Sequence, residues 1–130
     1  MKQKIEKNTV QETLIIPLYS RKIAKEKFPD LIGDKTSDYI IYKIDYDFSQ
    51  KEKFFNSTMG LYGALEVAQR EFDLECEIKE YLKKFPEASI VNLGCGLNDL
   101  FSSVNNGKCK GYNLDFEEVI KTREELLEKQ

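Results

Sequence analysis

The sequence predicts an α/β protein: a helical N-terminal extension followed by the first β-α-β-α part of an open parallel sheet. Three observations carry that prediction. A short apolar, β-branched run at residues 88–93 drops straight into Gly94-Cys-Gly96. Asp115, nineteen residues after Gly96, closes a second strand-like run. The chain before residue 87 carries helical rather than strand patterning. A strand, a glycine turn and an acid at the end of the next strand form the first half of a nucleotide-type site on an open sheet.

At 130 residues the chain is of single-domain size and long enough to bury a core. An apolar fraction of 41%, with 7 Tyr and 8 Phe, favours a folded protein over a disordered one. Charged residues make up 33%, but the net charge is only −3 and Lys and Glu are interleaved, the pattern of solvated helix faces. No basic stripe marks a nucleic-acid surface. Cys76, Cys95 and Cys109 are an odd set without metal-ligand spacing, in keeping with a reducing compartment. The N-terminus lacks a secretory apolar run, and no stretch is long and apolar enough to span a membrane, so a cytoplasmic location is expected. The absence of histidine removes Ser-His-Asp and Cys-His catalysis and histidine metal sites.

Taken in order, residues 1–7 read as a frayed polar tail. Asn8 or Thr9 can cap a first helix, aided by Gln11 and Glu12. Pro17 should interrupt that helix by removing a backbone donor. Residues 20–27 read as a second, basic helix ended by Phe28-Pro29-Asp30 and Gly33. Residues 34–43 suit helix or strand by periodicity, and the possible caps Asp34 and Ser37 favour helix. Asp45 and Asp47, in a Tyr-rich turn, read as caps or solvated loop acids rather than as a metal pair. Phe54, Phe55 and the stretch from Met59 to Gly63 form an apolar patch with two glycines. A helix is expected to begin at Leu65 to Ala68 and to continue or restart from Arg70 to Phe85, with Leu74, Ile78, Tyr81, Leu82 and Phe85 as its core stripe and Pro86 as its stop. The first strand covers residues 89–93, and residues 98–104 hold one or two helical turns. Asn105-Asn-Gly107 is a turn, the second strand covers residues 110–114, and Asp115 with Glu118 can cap a last helix.

The chemistry lies in the turn. Gly94 lets the backbone leave the strand sharply, and Gly96 lets a ligand approach without a Cβ in the way. An acid at Asp115 can accept hydrogen bonds from both ribose hydroxyls of an adenosine. A dinucleotide site places a third glycine where this chain has Asp99, whose carboxylate would repel a pyrophosphate. An adenosine cofactor without phosphates, S-adenosylmethionine, suits the pattern better.

Four segments carry a resemblance: Val10-Gln-Glu-Thr-Leu-Ile-Ile-Pro-Leu-Tyr19, Leu65-Glu-Val-Ala-Gln-Arg-Glu-Phe-Asp73, Ile90-Val-Asn-Leu-Gly-Cys-Gly-Leu97 and Tyr112-Asn-Leu-Asp115. In order and spacing the chain resembles the leucine carboxyl methyltransferase-like family, which includes O-methyltransferases of the polyketide-synthesis type. The resemblance implies a Rossmann-like class I S-adenosylmethionine-dependent methyltransferase with a helical extension at residues 1–86 and a partial cofactor-binding region at residues 87–130. It implies that Gly94 and Gly96 form the cofactor turn, that Asp115 holds the ribose and that Arg70 meets the methionine carboxylate. A solvated helix charge is the alternative for Arg70. It also implies a small-molecule acceptor bearing a carboxylate or hydroxyl; no catalytic residue is assigned.

Two departures bear on that picture. Asn98-Asp-Leu-Phe101 stands where the family commonly reads Asp-Thr-Arg-Phe, and Asp115-Phe116 where it reads Asp-Leu-Pro. The chain also reads as the N-terminal half of such an enzyme, expected to be inactive alone, with a complementing C-terminal chain or a homo-oligomer covering its sheet. Two alternatives stand beside this reading. One is a degenerate fragment serving as a binding or oligomerisation module, and the other a small helical protein whose glycine turn is only structural.

Overall fold

A computed structural model of the chain describes residues 2–5, 9–33 and 35–127. Residues 1, 6 and 7 of the expected tail, and the possible caps Asn8 and Asp34, lie outside these. Gln3–Lys4 (β1) nevertheless forms a strand rather than a frayed tail, pairing in parallel with Ile44–Asp45 (β2) and bringing Ile5 into the core at 5% exposure.

Helices then follow one another closely. Val10–Thr13 (α1) and Ile15–Lys27 (α2) are separated by a break at Leu14, one turn before the expected site. Pro17 sits in the first turn of α2, where a missing N–H leaves no intrahelical bond unmade, so it starts the second helix instead of kinking the first. Thr9 occupies the N-cap of α1 without a side-chain cap. Gln11 and Glu12 serve tertiary bonds instead, Gln11 to Thr122 at 3.2 Å and Glu12 from the Tyr46 hydroxyl at 2.9 Å.

Ser37–Lys43 (α3) is helical as expected, but Ser37 is its first residue and not its cap. Asp47 accepts from the backbone N–H and hydroxyl of Ser49 and so orders the entry to Ser49–Phe55 (α4). Asp45 stays exposed on β2.

Thr58–Lys84 (α5) is 27 residues long and begins seven residues before the expected start, running through both glycines. Ser57 caps it by accepting from the Gly60 N–H at 3.2 Å. Gly60 has a packing reason: a Cβ there would stand 2.6 Å from Phe55 Cα, so the ends of α4 and α5 meet only because that residue lacks a side chain. The expected core stripe is corrected at both of its ends and at Tyr81. Leu82 is buried, but Leu74, Tyr81 and Phe85 each keep half or more of their surface in water. The buried face of α5 lies earlier, at Ala64 and Ala68, where small residues let α2 approach.

Ser89–Leu93 (β3) pairs in parallel with Lys110–Leu114 (β4), with Val91 opposite Tyr112 and Leu93 opposite Leu114. Leu100–Val104 (α6) lies between them, and the Asn105-Asn-Gly107 turn returns the chain. In that turn Asn105 and Asn106 bind the amides two and three residues on, and Gly107 has φ +77. Phe101 of α6 packs against Gly111 on one face of this sheet. The other face, with Val91, Leu93, Tyr112 and Leu114, stands 48–76% exposed. Glu117–Leu126 (α7) buries Val119, Thr122 and Leu126 and closes against α1.

The architecture is therefore mixed α/β with two small parallel sheets. One core cluster joins Ile5, Ile15, Leu18, Ile40 and Ile44 to Leu97 and Leu126, and so draws on both sides of residue 86. A second surrounds Tyr19, Ile23, Phe55 and Ala64, with Tyr19 stacked on Phe48 and tilted against Phe55.

Candidate functional site

The glycine turn leaves the carboxyl end of β3 with Gly94 at φ +64 and Gly96 at φ +49, backbone that side-chain-bearing residues rarely adopt. It is tied down along its length. The amides of Gly94 and Cys95 both donate to the Leu114 carbonyl at the end of β4, at 2.8 and 3.2 Å. Gly96 N–H donates to Asp115 Oδ2 at 2.8 Å, while Oδ1 of the same carboxylate accepts from Phe116 N–H at 2.8 Å.

Asp115 therefore does not cap α7, whose N-cap is Phe116 without a side-chain bond. It bridges two adjacent strand ends instead. A carboxylate offers about four acceptor sites, so one remains on each oxygen after the two backbone bonds.

Arg123 of α7 closes the turn from behind. Its Nη1 donates to the carbonyls of Gly96 at 3.1 Å and Asn98 at 2.5 Å. Cys95, in the turn, is buried at 2% exposure. Burial pushes its thiol above the ordinary value and Asp115 adds to that, while Arg123 pulls the other way. A thiol so placed is a packing group at neutral pH rather than a nucleophile.

A cavity of about 650 Å³ opens over this turn, within the about 300–1,000 Å³ typical of small-molecule sites. It is lined by Gly94, Gly96, Asn98 and Asp115 from the strand ends, by Leu14 and Pro17 from the first helices, and by Arg70 from α5. All four residues singled out from the sequence thus border one space. Arg70 is exposed and makes no hydrogen bond or ion pair among the described residues. Gly94 faces open space, and a Cβ at Gly96 would meet only a Leu14 methyl, at 3.4 Å.

Two further charges border the same cavity and were passed over in the sequence: Arg21 at 5% and Glu71 at 7% exposure. A signal for Arg21 was present, since Leu14, Leu18 and Arg21 recur at helical spacing on one face.

Asp99 corrects the argument made from the missing third glycine. It does not line the cavity: its Oδ1 accepts from the Ser102 hydroxyl at 2.9 Å and lies 4.0 Å from Arg123. What stands against a pyrophosphate is the entry to α6. Asn98 Oδ1 already accepts the Leu100 N–H at 2.6 Å, and the helix is five residues long. Among the described residues no cluster of Asp, Glu and Cys is placed to hold a metal ion, and no helix is long and apolar enough to cross a membrane.

A cleft at the carboxyl ends of adjacent parallel strands is where open α/β sheets take their ligands. Over 127 residues, 97% of its length, the chain is 27% identical to the tetracenomycin polyketide synthesis O-methyltransferase TcmP of Streptomyces glaucescens. It covers 45% of that protein, so it spans less than half the length of the curated relative it matches. The likeness is distant, and it is to a methyltransferase. No family profile and no solved structure matches the chain.

Proposed function

We propose that this chain carries the S-adenosylmethionine-binding part of a Rossmann-like class I methyltransferase. Within that class it falls in the leucine carboxyl methyltransferase-like family, of the polyketide-synthesis O-methyltransferase type. The observation that carries the reading is the meeting of two positive-φ glycines and Asp115 at the ends of β3 and β4, over one cavity with Arg70 on its far wall.

The residues present fit such a cofactor. Asp115 keeps an acceptor site on each oxygen for the ribose hydroxyls. Arg70, exposed and with a planar fork of donors, suits the amino-acid carboxylate by bidentate pairing. Gly94 and Gly96 admit the ligand close to the backbone. The cofactor, when bound, supplies a methyl group on a sulfonium. The chain's own part is to hold that group and exclude water around it: Leu14, Pro17 and Phe116 give the cavity apolar walls, while Asp115 and Arg70 fix the two polar ends.

Methyl transfer is largely a matter of holding an acceptor in line, and no acceptor base is assigned among these residues. The acceptor site, for a carboxylate or hydroxyl compound, would be built by further polypeptide over the open face of β3 and β4. That polypeptide is a C-terminal continuation, a complementing chain or a second copy. On this account the described region alone binds cofactor and does not turn over. A binding or oligomerisation module without catalysis is the second reading, favoured by the exposed apolar face at Val91, Leu93, Tyr112 and Leu114.

Calorimetry separates the two. Titration with S-adenosylmethionine or S-adenosylhomocysteine is expected to show one site, weakened by Asp115→Ala and by Arg70→Ala. Absence of binding at millimolar ligand would sink the cofactor reading. Unchanged binding in both variants would sink the residue assignments.

A further inference from the structure

The glycine turn is restrained unequally on its two sides. Its amides are held by the sheet it leaves, through the Leu114 carbonyl and Asp115. Its carbonyls at Gly96 and Asn98 are held by one side chain that reaches in from another element. That side chain, Arg123, is 11% exposed and does not border the cavity, so it acts on the turn without touching what lies in it.

The helix that carries it is anchored. Thr122, next to it on α7, accepts from Gln11 of α1, and Val119 and Leu126 on the same helix are almost fully buried. A turn with two glycines at positive φ has little conformational preference of its own, so the external bonds select its path.

We infer that Arg123 is a positioning residue for the cofactor turn: by holding the Gly96 and Asn98 carbonyls from behind, it fixes the backbone path on which binding at Gly96 and Asp115 depends. This rests on the cofactor reading above. The chemistry asks for arginine. One guanidinium nitrogen serves two carbonyls while the rest of the fork faces the Asp99 carboxylate, 4.0 Å away. Lysine, a flexible point charge, can reach these oxygens but does not hold them in a fixed plane. The arrangement also ties the helical extension to the site, because α1 seats the helix that carries Arg123.

The test compares the wild-type chain with Arg123→Lys and Arg123→Gln. Three quantities are read: S-adenosylhomocysteine affinity by calorimetry, hydrogen exchange of individual amides by NMR, and the unfolding midpoint. Arg123→Gln is expected to weaken binding about tenfold or more, the order for losing a charge-assisted hydrogen bond. Arg123→Lys is expected to recover part of that loss. The Gly96 amide should exchange faster in the Gln variant, while Tyr112 and Asn113, in the middle of β4, stay as in wild type.

Wild-type affinity in Arg123→Gln, or faster exchange spread evenly over the chain, overturns the inference. If Arg123→Gln does not fold, Arg123→Lys carries the same comparison. If the wild-type chain binds no S-adenosylhomocysteine, the cofactor reading fails. Gly96 exchange then decides Arg123 alone: faster in the variant upholds its hold on the turn, and unchanged exchange refutes it.

Discussion

Tyr19 and Tyr112 mark two regions of the molecule. Tyr19 is 7% exposed, stacked on Phe48 and tilted against Phe55 where α2, α4 and α5 meet. Tyr112 sits in the middle of β4 with 51% of its surface in water, beside Val91 and in line with Leu93 and Leu114. The helical region is shaped by burial: Ile15, Leu18, Ile40, Ala64 and Ala68 are completely enclosed. The strand region is shaped by hydrogen bonds, with the β3–β4 ladder, the Leu114 carbonyl, Asp115 and Arg123 fixing a backbone whose apolar side chains remain half bare. A parallel sheet is normally covered on both faces. The inner faces of the helices close a core, while β3 and β4 keep one apolar face bare beside the glycine turn.

Substitutions can break that comparison, and the largest effect should fall in the helices. Leu18→Ala empties a fully buried position and is expected to cost about 2–5 kcal/mol in urea unfolding. Gly60→Ala comes next, at about 1–3 kcal/mol, because the new methyl meets the backbone of Phe54 and Phe55. Its control is Gly63→Ala, where a Cβ meets nothing within 4 Å and helix propensity should raise stability by up to about 1 kcal/mol. A loss at Gly63 equal to that at Gly60 would refute the close approach of α4 and α5.

A smaller effect is expected at Tyr46. Burial, and then its bond to Glu12, push its hydroxyl from 10.0 up to about 12. The folded state therefore holds the Tyr46 proton more tightly than the unfolded state does. That contribution is complete below pH 10 and is lost as pH rises towards 12. Unfolding of Tyr46→Phe should lack this part of the alkaline decline. Smallest of all, Leu93→Ala should change stability by no more than about 0.5 kcal/mol, since the side chain is 76% exposed. A large loss there would mean that the open face is covered in solution, and sedimentation of the wild-type chain would then show an assembly.

The legible part of the sequence was its local chemistry. The two strands, the Asn105-Asn-Gly107 turn and the stop at Pro86 were readable because each is written in neighbouring residues. Gly94, Gly96 and Asp115 could be picked out from the turn and the strand after it, whereas Arg70 rested on the family resemblance alone; all four border one cavity. What was hidden depended on distant partners. The start of α5 was misplaced because Gly60 reads as a breaker until Phe54 and Phe55 are seen against it. Asp115 looked like a cap because Gly96, its actual partner, is nineteen residues away. The half-bare stripe at Leu74, Tyr81 and Phe85 has the periodicity of a core face, and periodicity does not say whether anything packs there. Gln11 and Glu12 were assigned to a cap for the same reason, their partners Thr122 and Tyr46 lying far along the chain.

The central claim is that the turn and the ends of β3 and β4 form a cofactor site. Its most direct test is an NMR titration of the isotope-labelled chain with S-adenosylhomocysteine, following backbone amides. Saturable shifts are expected at Gly94, Cys95, Gly96, Asp115 and Phe116, with a second group near Arg70 and none around Tyr19. No shift at millimolar ligand, or shifts confined to the exposed stripe at Tyr81 and Phe85, would contradict that claim.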